Sequence, residues 1–88
     1  MFIFDLNKSR TNERKHGISF GEAKELWKDK YRVEKQVKNI TESRFAVTGI
    51  IDGILWTAII TYRDEFIRLI SVRRARKNEK EDYYSRRV

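Results

Sequence analysis

The sequence predicts an α+β fold, with a three- to four-stranded antiparallel central sheet, two N-terminal helices and one C-terminal helix. Three observations predict it. Asp52-Gly53 lies between two apolar runs, Arg44 to Ile51 and Ile54 to Tyr62, which is the strongest short hairpin signal. Ser19 and Glu22 form a capping box ahead of a helical stripe of apolar residues. A third apolar run, Phe66 to Val72, gives way after Arg73-Arg74 to helical spacing at Ala75, Glu79, Asp82 and Tyr83.

Taken in order, Met1 to Phe4 reads as a small edge strand. Asp5 or Asn7 can cap a helix from Lys8 to about His16, and Gly17 stands where a left-handed C-cap belongs. That helix is nearly all polar, so it belongs on the surface or against a partner. Ser19 then starts a second helix reaching about Lys30, with Ile18 and Ala23 at the staple positions and Phe20, Ala23, Leu26 and Trp27 on its apolar stripe. Residues 31–42 carry a weak pattern. Val33 and Val37 fit a ragged outer strand, and Lys35, Lys38 and Asn39 fit an exposed edge protected by charge. The Asn39-Ile40-Thr41 glycosylation pattern is read as chance.

The two-residue hairpin loop pairs residues whose numbers sum to 105, so Phe45 faces Ile60, Val47 faces Ala58, and Gly49 faces Trp56 with room for the indole. The third strand returns antiparallel beside the second. Within it, strand alternation sets Arg68 and Ser71 on opposite faces. A helix begins near Ala75. No repeat, proline or linker divides the chain, which reads as one domain over residues 1–88.

Composition narrows the function. The 88 residues carry a formal net charge of +7, and residues 66–88 hold eight basic groups against three acidic ones. Such a balance favours polyanions, of which nucleic acid is the commonest inside cells. The chain has no cysteine and one histidine, which excludes disulfides, thiol-rich metal sites and multi-histidine metal sites. No metal or other cofactor is expected. Nothing reads as a signal peptide or a membrane span, and the expected compartment is the cytoplasm.

Six positions draw attention on chemical grounds. Arg68, set in an apolar strand, needs an anion: either a carboxylate such as Asp52, Glu65 or Glu79, or a bound phosphate. Arg73 and Arg74 stand at a strand-to-helix junction and suit phosphate, or form a solvated rim or a protein contact. His16 is the one side chain of a type that exchanges protons near neutral pH; alternatively it closes a helical turn beside Gly17. Glu79 and Tyr83 share a helix face, where Glu79 can orient an arginine and Tyr83 can stack a base or simply pack.

Two blocks resemble the BrnT family of type II toxins, which are RelE-like ribonucleases. One runs Asp5-x-x-Lys8-x-x-x-Asn12-x-x-Lys15-His16-Gly17-Ile18-Ser19-Phe20, with Ala23 following. The other is Arg68-x-Ile70-Ser71-x-Arg73-Arg74-Ala75, followed by Glu79 and Tyr83. The resemblance covers most of the chain except roughly residues 29–43. Three positions depart from the family pattern: Phe4-Asp5 replaces Trp-Asp, Asp29-Lys30 replaces Asp-Pro, and Arg76 stands where a threonine commonly follows.

The resemblance implies a RelE-like fold and metal-independent RNA cleavage that arrests translation. It implies neutralisation by a BrnA-like antitoxin, in a heterotetramer built on a toxin dimer. On that reading His16, Arg68 and Arg73 are catalytic. Lys15, Arg74, Arg76, Tyr62 and Tyr83 hold RNA or its phosphates, Lys15 being also a candidate base, and Glu79 orients. The rival reading is a non-catalytic nucleic-acid-binding or co-repressor subunit, which would bind RNA or DNA without turnover.

Overall fold

The computed structural model describes residues 1–38 and 41–86, so the Asn39-Ile40-Thr41 pattern lies partly outside the described residues. Five strands and three α-helices follow the order β1 (Phe2–Ile3), α1 (Leu6–His16), α2 (Phe20–Ala23), β2 (Val33–Val37), β3 (Arg44–Ile51), β4 (Ile54–Arg63), β5 (Phe66–Arg74) and α3 (Lys77–Ser85). One sheet holds them in the order β1-β5-β4-β3-β2. It is mixed rather than antiparallel, because β1 pairs parallel with β5, Phe2 opposite Ile67 and Ile3 opposite Arg68. The three- to four-stranded expectation is corrected to five.

The hairpin register follows from its turn. Asp52 and Gly53 both take positive φ, 49° and 80°, as the two central residues of a type I′ turn require. Phe45 therefore faces Ile60, Val47 faces Ala58, and Gly49 faces Trp56. The space at Gly49 serves a different neighbour from the indole. A Cβ there would meet Leu26 Cδ2 at 3.1 Å and Arg32 Cβ and Asp29 Oδ2 at 3.4 Å, so the missing side chain lets the segment after α2 press onto the sheet.

Capping fixes the helices. Asp5 Oδ1 accepts from the N–H groups of Asn7 and Lys8, and Gly17, at φ 82°, closes α1. Ser19 and Glu22 make both bonds of the capping box, at 3.1 and 3.0 Å. The helix they start is shorter than its apolar stripe suggests. It is α-helical only to Ala23 and continues as a tighter 3-10 helix over Lys24–Lys28, which leaves Tyr31 exposed. At the other end α3 starts at Lys77, two residues later than the spacing of Ala75 implies.

The two sheet faces bury different clusters. Ile18, Phe20, Ala23 and Leu26 pack with Val47, Trp56, Ala58, Ile60, Leu69 and Val72 on one face. Tyr83, on α3, packs with Val33, Leu55 and Ala75 on the other. Polar α1 has another attachment. Asn12 is buried, and its Nδ2 donates to the carbonyls of Ile18 and Val72 at 2.9 Å while its Oδ1 accepts from the Val72 N–H at 3.1 Å. Ser9, also buried, accepts from the Phe20 N–H. The Asn12 amide thus satisfies the outer edge of β5 beyond the end of β1. Among the described residues no helix is long and apolar enough to cross a membrane.

Candidate functional site

A bulge in β5 assembles the site. Cross-strand partners run Arg68–Thr61, Leu69–Ile60, then Ser71–Ile59, Val72–Ala58 and Arg73–Thr57, so Ile70 is an extra residue without a counterpart on β4. Residues opposite one another share a face, and so do alternate residues of β4. Arg68, Ser71 and Arg73 therefore all lie on the α3 face, with Thr57, Ile59 and Thr61. Strict alternation would have put Arg68 and Ser71 on opposite faces; the bulge overturns that expectation. It equally keeps Leu69 and Val72 together in the opposite core.

Three ion pairs complete the surface. Arg73 makes a two-pronged ion pair with Glu79, Nη1 to Oε1 at 2.8 Å and Nη2 to Oε2 at 2.9 Å. Glu79 Oε1 also accepts from the Arg76 N–H at 2.7 Å and from Thr57 Oγ1 at 3.1 Å, and Thr57 is bonded in turn to Thr48 at 2.8 Å. Burial alone would raise the Glu79 carboxyl, but the hydrogen bonds from Arg73, Arg76 and Thr57 and the Arg73 charge outweigh it and hold it at about 2. Arg44 pairs with Glu42 and Lys35 with Asp82. Arg68 is different. It is half-buried, and among the described residues it has no ion pair or side-chain hydrogen bond, neither with Asp52, Glu65 nor Glu79. A guanidinium so placed is a ready ligand for a phosphate oxygen.

The remaining sequence candidates are dispersed. Arg74 points to the opposite face, its guanidinium 5.1 Å from the centre of the Trp56 ring. Arg76 occupies the N-cap position of α3, where a threonine's hydroxyl would cap and its own side chain does not. Tyr62, read as a stacking candidate, is exposed but lies apart from Arg68, because it pairs with Ile67 on the opposite face. There its ring meets Phe45 edge-on and its hydroxyl donates to the Glu34 carboxylate at 2.8 Å. Burial and the Glu34 hydrogen bond push that phenol up to about 12. Tyr83 is corrected as a base-stacking residue. It is 1% exposed, and its hydroxyl bonds Asp29 Oδ2 at 2.6 Å.

Lys15 and His16 are exposed at the end of α1. No hydrogen bond or ion pair among the described residues joins either to Arg68 or Arg73. Asn12 fastens α1 to Val72 on the outer edge of β5, and His16 lies one helical turn, ~6 Å, further along the helix.

Sequence reasoning missed Thr57, and it named Asn12 only within a motif and Asp29 only as a departure, without the roles they play. Thr57 and Thr61 share a face within an otherwise apolar strand, which was a legible sign that this face is not wholly core. Asp29 ties three elements together, accepting from the Ile50 N–H and the Tyr83 hydroxyl through Oδ2 and from the Tyr31 N–H through Oδ1.

A small basic α+β protein that presents, on the sheet face carrying α3, a guanidinium without a partner among the described residues has the makings of a polyanion-binding protein. A family model described as ribonuclease toxin, BrnT, of type II toxin-antitoxin system matches residues 4–79. The chain belongs to that family. Membership brings an RNA substrate and an antitoxin partner with it. A comparison with curated proteins gives no match.

Proposed function

We propose that this ribonuclease toxin is an endonuclease that cuts RNA without metal, using the substrate's own 2′-hydroxyl. The 2′-oxygen attacks the adjacent phosphorus and the bond to the 5′-oxygen breaks. The products are a 2′,3′-cyclic phosphate and a 5′-hydroxyl. A base takes the 2′-hydroxyl proton and an acid supplies one to the leaving oxygen. Arg68 binds the phosphate and stabilises the charge that develops on its oxygens. Arg73, held by Glu79, stands on the same face as a second cation. Lys15 and His16, in the last turn of α1, supply proton transfer.

Half-buried Arg68, without a partner among the described residues and on the same face as the Arg73–Glu79 pair, carries this reading. The chain is one toxin domain of RelE-like kind, acts in the cytoplasm and inhibits translation. A BrnA-like, DNA-binding antitoxin neutralises it, in a heterotetramer built on a toxin dimer.

The test incubates purified toxin, free of antitoxin, with end-labelled RNA in excess EDTA, alone and with translating ribosomes. Fragments ending in 2′,3′-cyclic phosphate are expected, and Arg68→Ala should abolish them while leaving the fold intact. Salt-sensitive RNA binding with no fragments under either condition would overturn the enzymatic reading in favour of a non-catalytic binding subunit.

A further inference from the structure

At the far end of β5 the chain builds a second basic feature. A hollow lies between the tip of the β3–β4 hairpin and α3, lined by Gly53, Ile54, Leu55, Arg74, Lys80 and Tyr84. Its parts differ in kind. Arg74 is an exposed cation that rests against the Trp56 ring, and Lys80 adds a second charge from α3. Tyr84 is 50% exposed, and edge-to-face contact with buried Tyr83, at 5.3 Å and 84°, props its ring from behind. Leu55 supplies an apolar wall and Gly53 leaves the hairpin rim without a side chain.

We propose that this hollow is a nucleotide subsite of the ribonuclease, in which Tyr84 stacks a base and Arg74 and Lys80 hold its phosphate. The proposal rests on the ribonuclease reading above. Aromatic faces take any base, because every base has a π-face, and flanking cations follow the backbone. The placement suits one strand of RNA. Arg68 and Arg73 lie along the α3 face of β5, and Arg74 ends the strand with its side chain on the opposite face, so the RNA rounds the strand end to reach it; from Arg68 to Arg74 the strand rises roughly 20 Å. RNA whose scissile phosphate sits at Arg68 therefore reaches the hollow several nucleotides away, after passing Arg73. Binding energy gained there holds the substrate without touching the reacting atoms, so it belongs in affinity rather than in the rate of cutting.

The experiment uses the full chain and 2′-O-methyl oligonucleotides, which lack the nucleophile and remain uncut. Binding is measured for a dinucleotide and for an oligomer of about eight nucleotides, within the usual range of single-strand site sizes. Tyr84→Ala should weaken the longer oligomer by roughly tenfold to a hundredfold and leave the dinucleotide unaffected. Tyr84→Phe should bind as the parent does. Arg74→Ala should weaken the longer oligomer and reduce the salt dependence of its binding by about one charge.

The single-turnover rate at saturating RNA should be the same for Tyr84→Ala and the parent. Equal affinity of Tyr84→Ala and parent for the longer oligomer overturns the subsite, as does an equal loss for the dinucleotide. If only antitoxin affinity falls in Tyr84→Ala, the hollow is a protein contact and the subsite is overturned. A parent protein that binds RNA but never cuts it refutes the ribonuclease reading instead.

Discussion

Substituting Glu79 by Gln tests the polar centre of the α3 face. The carboxylate receives four hydrogen bonds, two from Arg73 and one each from the Arg76 N–H and Thr57. Gln keeps the shape but removes the charge, and turns an NH₂ towards donors that it cannot accept from. A hydrogen bond to a charged group is worth about 1.5–3 kcal/mol, and breaking a fully buried ion pair costs more. Here the Arg73 and Glu79 side chains keep 21% and 16% exposure, so water screens part of the effect. The expected loss is roughly 2 kcal/mol, or about 8–16 °C in melting temperature for a domain of this size.

The pH dependence makes the prediction specific. Glu79 is held at about 2, below its ordinary value of 4.5. The unfolded chain therefore takes up the proton first as pH falls. The stabilisation is complete above about pH 5 and is lost towards pH 2. Urea midpoints measured from pH 2 to 7 should show this step in the parent and lack it in Glu79→Gln. Asp82, which Lys35 and then Arg86 hold below its usual range, titrates in both proteins and cancels from the comparison. Parallel midpoints for the two proteins across pH 5 to 2 would refute the account.

Three further outcomes follow from the same structure. Asn12→Ala strands the Val72 N–H and two carbonyls at a buried site, and should cost roughly 2–4 kcal/mol in urea unfolding, with loss of hydrogen-exchange protection at Val72. Arg76→Thr restores a capping hydroxyl and removes a cation from a helix N-terminus, so it should stabilise by about 1 kcal/mol in the same measurement. Tyr62 should titrate near 12 in an ultraviolet pH titration, its stabilising bond to Glu34 being lost as pH rises from 10 to 12; Glu34→Gln should bring that titration down.

Local chemistry was legible in the sequence. Asp52-Gly53 specified both turn and register, and Ser19 with Glu22 specified a helix start, because each signal depends only on residues a few positions apart. What could not be read depends on residues that meet only in the fold. Ile70 sits in an apolar run where any residue could be the extra one, so nothing local marks the bulge or the face it gives Arg68. Parallel pairing of β1 is a choice made by β5, more than sixty positions away. Asn12 stayed hidden for another reason. Hydrophobic periodicity looks for apolar stripes, and α1 is attached by two polar side chains. At the candidate site the residue types were legible, but which arginine already had a carboxylate was not. Arg68 and Arg73 look alike in sequence, and only the approach of α3 gives Glu79 to one of them.

The pairing of β1 and α1 with β5 also bears on how the protein is made. Chains fold as they emerge, the N-terminal part first. Here β1 and α1 are made some sixty residues before their sheet partner, since Phe2, Ile3 and Asn12 all pair with residues beyond position 66. Pairings so far apart in sequence form slowly and late. Arg68, Arg73 and Glu79 arrive with that same segment. A ribosome making this toxin therefore holds a chain with neither a closed sheet nor a cationic face until residues 67 to 79 have emerged.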